Sequence, residues 1–346
     1  MKKIGFLVPE IINCGPVNMV FNIIQCIDCE MFSVMLISVR KTKTNSDYVN
    51  NIRSKCKLGV FDLEIFSLQD LVLNLDVIHS HGYYPDKIVA GLKNDSVKKI
   101  TTIHCQFFKD YLQEYGKIKG FFGALLHFYY LNTGKFDYHV GCSQSVKEYL
   151  DSYLLKRNKK KVLSINNGVD QNIFFPLNQR EKTARRKKLG FCEKDKIFIY
   201  AGRLIRRKRV PELITFFNEK AIENSILLIL GTGNELAECE AIATKKMIFL
   251  GYQENPQKYY QISDFVLSMS SAEGYPMSIL EAVSCGCYAF LSDIPSHQEF
   301  INLNPYKADV IDNLTEDKLC VKNNNNNNHN LSAQKMTEQY VKLYLG

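Results

Sequence analysis

With 346 residues, 46% of them hydrophobic, the chain is longer than one ordinary core needs and suits two domains. No apolar run reaches the ~18–20 residues of a membrane-spanning helix, and 11 cysteines, an odd number scattered through apolar segments, argue against a disulfide framework. A formal charge of +8 with no recognised nucleic-acid motif argues against a nucleic-acid partner; much of the charge is local, at 156–161 (KRNKKK) and 185–188 (RRKK).

The first residues, MKKIGFLVPEII, start like a secretory leader, but Pro9, Glu10 and Asn13 interrupt the apolar stretch. They read instead as a first buried strand, which predicts a cytoplasmic protein or one attached to the inner face of the membrane. Strands follow over 4–8, 34–39, 77–78, 100–103, 138–141 and 162–165, and Val17, Val20, Phe21, Ile24 and Ile27 recur at helical spacing between the first two. The segment 107–136 is aromatic, with Lys109, Lys117, Lys119 and Lys135 interleaved. Two readings of it stand: a lobe that meets an anionic membrane surface, or the packed core of a helix pair.

The second half repeats the alternation, with strands over 197–201, 226–230, 247–250, 265–269 and 288–291. Near-continuous apolar strands alternating with helices predict parallel sheets covered on both faces, hence an α/β chain of two Rossmann-like domains. The expected division is 1–173 and 174–328, with 329–346 a final amphipathic helix packing back on the N-terminal domain. The polyasparagine run at 323–328 cannot build a core and reads as a linker. Cys26 and Cys29 form a C-x-x-C, and Cys285 and Cys287 a C-x-C; without a second pair at ligand spacing they read as buried thiols.

Polar and glycine residues gather just after the strands: Gly15, His79, His81, His104, Ser143 and Asn167-Gly168, then Gly202-Arg203, Gly231, Gly233, Gly251 and Ser271 to Glu273. Ligands of open parallel sheets bind outside the carboxyl ends of the strands, so two decorated sheets predict a cleft between domains. The densest signal is Ser271-Ala-Glu273-Gly274-Tyr275-Pro276-Met-Ser-Ile-Leu-Glu281. Pro276 suits the first turn of a helix, Gly274 permits a close approach, and the helix start offers amides to an anion. Glu273 in the loop and Glu281 in the helix then suit sugar and ribose hydroxyls, so the segment has what a nucleotide sugar needs. The plainer alternative is a helix whose acids complement its dipole.

The E-G-Y-P-M-S-I-L-E-A segment, with two glutamates separated by seven residues, resembles the signature of glycosyltransferase family 4. Asn167-Gly168-Val169-Asp170 with Phe174, Ala201-Gly202-Arg203-Leu204 with Lys208, Gly231-Thr-Gly233, and Thr102-Ile-His104 are similar to further family motifs, in the expected order. The resemblance implies a GT-B fold, two Rossmann-like domains facing across a cleft. It implies retaining transfer from a nucleoside-diphosphate sugar to a carbohydrate, glycolipid or other hydroxyl acceptor, as in bacterial surface polysaccharide or glycolipid synthesis.

Carried over by position, Arg203 and Lys208 neutralise the diphosphate, Glu273 contacts the transferred sugar, Glu281 the ribose, and His104 faces the reacting centre from the opposite domain. Gly15, Gly202, Gly231, Gly233, Gly274, Tyr275 and Pro276 complete the implied donor site. Fixed cations at a leaving diphosphate replace a metal, and no Asp-x-Asp motif occurs, so neither metal nor cofactor is expected. One departure is the loop after the first strand: the family often carries paired glycines there, and this chain has only Gly15. An epimerase or a phosphorylase of the same fold, or a non-catalytic subunit that binds sugar nucleotides, are the alternatives.

Overall fold

A computed structural model describes residues 1–41, 47–159, 161–320 and 331–346 of the chain. The polyasparagine run and Lys160, within the first basic run, lie outside the described residues. The chain divides into two compact units, residues 1–168 with 333–346, and residues 169–332.

The first unit is built on β1 (Lys2–Val8), β2 (Phe32–Ser38), β3 (Val60–Asp62), β4 (Val77–His81), β5 (Lys98–Ile103), β6 (Tyr138–Gly141) and β7 (Val162–Ser164). They form one sheet in the order β3-β2-β1-β4-β5-β6-β7, and every pairing is parallel. β2 is buried at every position, as expected for a strand covered on both faces. Its core includes Ile4, Phe6, Val20, Ile24, Phe32, Leu36 and Ile100, so the helix Gly15–Cys26 delivers the face its spacing promised.

The second unit holds β8 (Lys196–Ala201), β9 (Ser225–Leu230), β10 (Met247–Gly251), β11 (Phe265–Ser268), β12 (Tyr288–Leu291) and β13 (Ala308–Val310). Their order is β10-β9-β8-β11-β12-β13, again parallel throughout. In each sheet the winding reverses beside its first strand, between β1 and β4 and between β8 and β11. Such switch points are where α/β sheets open a ligand crevice at their carboxyl ends.

The units part at Gly168–Val169 and Ser332–Ala333, a few residues from the expected 173–174 and 328–329. Val169 donates its amide to the Leu331 carbonyl and bridges Ser332, which ties both ends of the second unit together. The last helix, Ala333–Leu345, then contributes Met336, Tyr340 and Tyr344 to the core of the first unit. Among the described residues no helix is long and apolar enough to cross a membrane.

Candidate functional site

In the second unit the turn after β8 and the turn after β9 interlock. Leu204 donates its amide to the Thr232 carbonyl (2.9 Å), and Glu235 donates back to Leu204 (3.0 Å). A Cβ at Gly231 would lie 1.9 Å from the Gly202 oxygen, and one at Gly233 would lie 2.0 Å from the Leu204 oxygen. Gly231 also holds φ +127°, a region side chains rarely adopt. Gly231 and Gly233 thus have a structural cause: two backbones too close for any side chain.

This turn leads into a short 3-10 helix, Arg206–Lys208, closed by Arg209 in the left-handed region (φ 53°) before the helix Val210–Lys220 begins. The turn aims Arg207 and Lys208 at the loop that follows β11. Ser271 donates its amide to the Arg207 carbonyl (2.9 Å), and Arg207 Nη1 donates to the Ala272 carbonyl (2.6 Å) and to Glu273 Oε2 (3.2 Å). Lys208 Nζ donates to Glu273 Oε1. Burial pushes the Glu273 carboxyl up, but Lys208 and Arg207 outweigh it and hold the group at about 2. Burial lowers Lys208, and Glu273 opposes that shift. The result is an ionised carboxylate, only 9% exposed, shared between two cations.

Arg203, expected with Lys208 at the diphosphate, is exposed at the turn after β8; the ion pairs to Glu273 come from Lys208 and from Arg207, which the sequence did not single out. A run of four basic residues does not show which of them turns inward; the 3-10 geometry decides it.

Past the loop, Pro276 stands at the N-cap of the helix Met277–Ser284 in extended conformation instead of entering its first turn, and its own side chain makes no cap bond. Gly274 and Tyr275 lie in the connecting bend. Glu281 is buried within the helix and accepts a hydrogen bond from the Tyr260 hydroxyl (3.3 Å). Burial raises its carboxyl to about 8, against the smaller opposing effect of Tyr260. His297, which sequence reasoning passed over, is fully buried near Glu273. Its Nδ1 lies 3.0 Å from the Ser292 carbonyl, and its Nε2 is buried with no hydrogen-bond partner among the described residues. Burial lowers it to about 4, so the ring is neutral at pH 7.

In the first unit Gly15 opens the helix Gly15–Cys26 after β1, with Pro16 behind it. Ser143 caps the helix Gln144–Tyr153 by accepting from the Val146 amide (3.2 Å). The histidines at the ends of β4 and β5 meet. His81 Nδ1 lies 3.0 Å from His104 Nε2, and His79 sits between the Tyr344 hydroxyl (2.9 Å) and Thr102 Oγ1 (2.7 Å). Burial lowers His79 to about 3 and His104 to about 4, and takes His81 well below the usual range, so all three are neutral at pH 7. His81 Nε2 is buried without a hydrogen-bond partner among the described residues. A lone pair is cheaper to leave there than an N–H, which puts the His81 proton on Nδ1, donated to His104.

Beside them lies a buried group that the sequence did not point to: Asp86 Oδ2 with His127 Nε2 (2.8 Å), and His127 Nδ1 with the Tyr111 hydroxyl (2.9 Å). Ser80 and Thr101 both donate to Asp86 Oδ1 (2.5 and 2.6 Å). His127 stacks on Phe107 at 3.9 Å, so this network joins the two aromatic helices to β4 and β5. Among the described residues no three His, Cys, Asp or Glu side chains gather as metal ligands.

Comparison with known proteins bears on both units. Residues 181–336 match the family described as glycosyl transferases group 1, and residues 49–172 match glycosyltransferase family 4. N-acetyl-alpha-D-glucosaminyl L-malate synthase of Bacillus anthracis is 25% identical over 223 residues, which cover 62% of this chain and just over half, 55%, of that protein. The O-antigen biosynthesis glycosyltransferase WclY of Escherichia coli is 26% identical over 313 residues, covering 87% of this chain and 82% of the relative. Among solved structures, Anabaena HepE in complex with UDP-glucose shares the fold with a TM-score of 0.78 at 13% identity, covering 99% of each chain.

Proposed function

Starting from a chain that belongs to the family 4-like glycosyltransferases of GT-B fold, we propose that it transfers a sugar, with retention, from a nucleoside diphosphate to a hydroxyl acceptor in bacterial surface polysaccharide or glycolipid synthesis. The observation that carries this reading is the cluster of Lys208, Arg207 and Glu273 at the carboxyl ends of β8 and β11. A leaving diphosphate gains charge as the glycosidic bond breaks, and fixed cations in a part-buried site stabilise that charge without reorganising. Lys208 and Arg207 supply it directly, and Arg203 lies on the same turn. Glu273, kept ionised by these cations, accepts hydrogen bonds from hydroxyls of the transferred sugar. His104 in the first unit is neutral at pH 7 and so offers a hydrogen bond, not an acid.

In the proposed step the acceptor oxygen bonds to the anomeric carbon on the face from which the diphosphate oxygen departs. The acceptor proton passes to that departing oxygen. The cations do the work otherwise given to a divalent ion, so turnover is expected to survive a chelator.

Lys208→Ala should cost on the order of 2–4 kcal/mol in activation free energy. The experiment is a thermal-shift screen of uridine, guanosine and adenosine diphosphate sugars, followed by transfer assays on wild type and Lys208→Ala with and without chelator. A stabilising nucleotide raises the melting temperature, because it binds only the folded state. Near-normal turnover of a folded Lys208→Ala would sink the assignment of the cations. Loss of activity in chelator, restored by magnesium or manganese, would sink metal independence.

A further inference from the structure

The helix Lys117–Leu131 is apolar on two faces at once. Its inner face carries Gly120, Ala124, His127, Phe128 and Leu131, all buried. The preceding helix, Phe107–Tyr115, approaches so closely that a Cβ at Gly120 would lie 2.3 Å from the Tyr111 oxygen. This fixes the helix in the first unit and determines what it shows to solvent.

The outer face is a continuous stripe: Ile118, Phe121, Phe122, Leu125, Leu126 and Tyr129, exposed from 43% at Leu125 to 75% at Ile118. Their spacing of three and four residues is that of one helix face. Single exposed apolar residues are ordinary, but six in register along one helix are not. The aromatic segment therefore divides, with Phe107, Phe128 and Phe136 in the core and Phe121, Phe122 and Tyr129 outside it.

Charge identifies what would cover this stripe. Lys117 and Lys119 stand in the first turn of the helix, where no acidic residue is present and where the helix dipole disfavours cations. Helix stability gives no reason for them there. Between Lys117 and Phe136 the sequence has no Asp or Glu. An apolar stripe with aromatics, flanked by lysines and free of acids, has the chemistry of a helix lying in a lipid interface.

We propose that this outer face is a docking surface for an anionic membrane leaflet, with the six apolar side chains entering the headgroup region and Lys117 and Lys119 meeting lipid charge. If the glycosyl-transfer reading also holds, the surface brings the enzyme to a lipid-linked hydroxyl acceptor. The docking itself does not depend on that reading.

Flotation of the whole protein with phosphatidylglycerol-containing vesicles, and with phosphatidylcholine vesicles alone, tests it without any activity assay. Wild type should float with the anionic vesicles at low salt and detach as salt rises, because exposed charges are screened beyond about 8 Å at physiological ionic strength. Phe122→Ser with Leu126→Ser should weaken binding at least about tenfold. Lys117→Gln with Lys119→Gln should weaken it up to about twenty-five-fold, roughly fivefold per lysine, on anionic vesicles only. Tyr306→Ser, at an exposed aromatic of the second unit, should change nothing. Melting temperatures near wild type confirm that the variants fold. Absence of wild-type flotation at low salt, or equal flotation of folded stripe variants, overturns the proposal. So does a vesicle-free dimer that the Phe122 and Leu126 variant converts to monomer, since a second copy would then own the face.

Discussion

Glu273 and Glu281 look alike in the sequence, two acids seven residues apart in one motif, yet the fold gives them opposite charge states. Glu273 is held at about 2 and is ionised at pH 7. Glu281 is raised to about 8 by burial and keeps its proton there. Below about pH 4.5 Glu281 is protonated both folded and unfolded, so it adds no pH dependence. Between about 4.5 and 8 the unfolded chain releases this proton and the folded chain retains it. Stability therefore falls as pH rises, by up to about 1.4 kcal/mol per pH unit from this group, and levels off above about 8. Glu281→Gln keeps an acceptor for Tyr260 and removes the titration. Urea unfolding from pH 5 to 8.5 should show the variant no more stable than wild type at pH 5 and more stable at pH 8; parallel curves would contradict this. The two glutamates were legible as a motif, but their protonation was not, because it is set by residues distant in sequence. Lys208 lies 65 positions before Glu273, and Tyr260 reaches Glu281 from another helix. Arg207 was hidden inside its basic run for the same reason, and the Asp86–His127 pair spans 41 positions.

The strands of both sheets were legible because they are short apolar runs bounded by polar turns, and most ends agree to within a residue or two. β3 and β13 went unread: each is three residues long, sits at a sheet edge and is only partly buried, so neither needs a strong apolar signal. The glycine turns were legible as motifs, while their reason lies in how two turns meet. That reason grades three similar substitutions. Gly231→Ala places a Cβ 1.9 Å from a backbone oxygen at φ +127°, and Gly233→Ala places one 2.0 Å from another. Neither backbone can give way cheaply, so each should cost about 3 kcal/mol or more, a fall in melting temperature of roughly 6–12 °C. Gly202→Ala meets the Tyr200 side chain, nearest at its hydroxyl, 2.9 Å away. It should cost about 1 kcal/mol, since a side chain can shift where backbone cannot. Thermal melts of the three purified variants check the order, and equal losses would mean that the turns do not interlock as described.

The chain ends where it began, with its last helix completing the first unit. Tyr340 and Tyr344 are fully buried beside Phe6 and Phe32, far from them in sequence. The Tyr344 hydroxyl satisfies His79, Tyr340 satisfies Thr102, and Lys2 and Lys98 donate to the carbonyls of Tyr344 and Leu343. The periodicity of Met336, Tyr340 and Val341 made the helix legible, and its packing on the N-terminal domain was expected; which residues it meets there was not. The contacts name them, and they assign the helix's energy to the first unit. Tyr344→Ala removes a buried ring and leaves the His79 Nδ1 without its partner. The cavity should cost about 3–5 kcal/mol and the lost partner about 1–3. That is a large fraction of the 5–15 kcal/mol typical of a folded domain. Hydrogen exchange read along the chain should then show protection lost in β1, β2, β4 and β5, while β8, β9, β11 and β12 keep theirs. Among the described residues the core cluster of the second unit includes none from this helix and is built on Phe198, Leu227, Phe265 and Phe290. Protection falling equally in both sets of strands would show that the units unfold together, and the last helix would then stabilise the whole chain instead of the unit it completes.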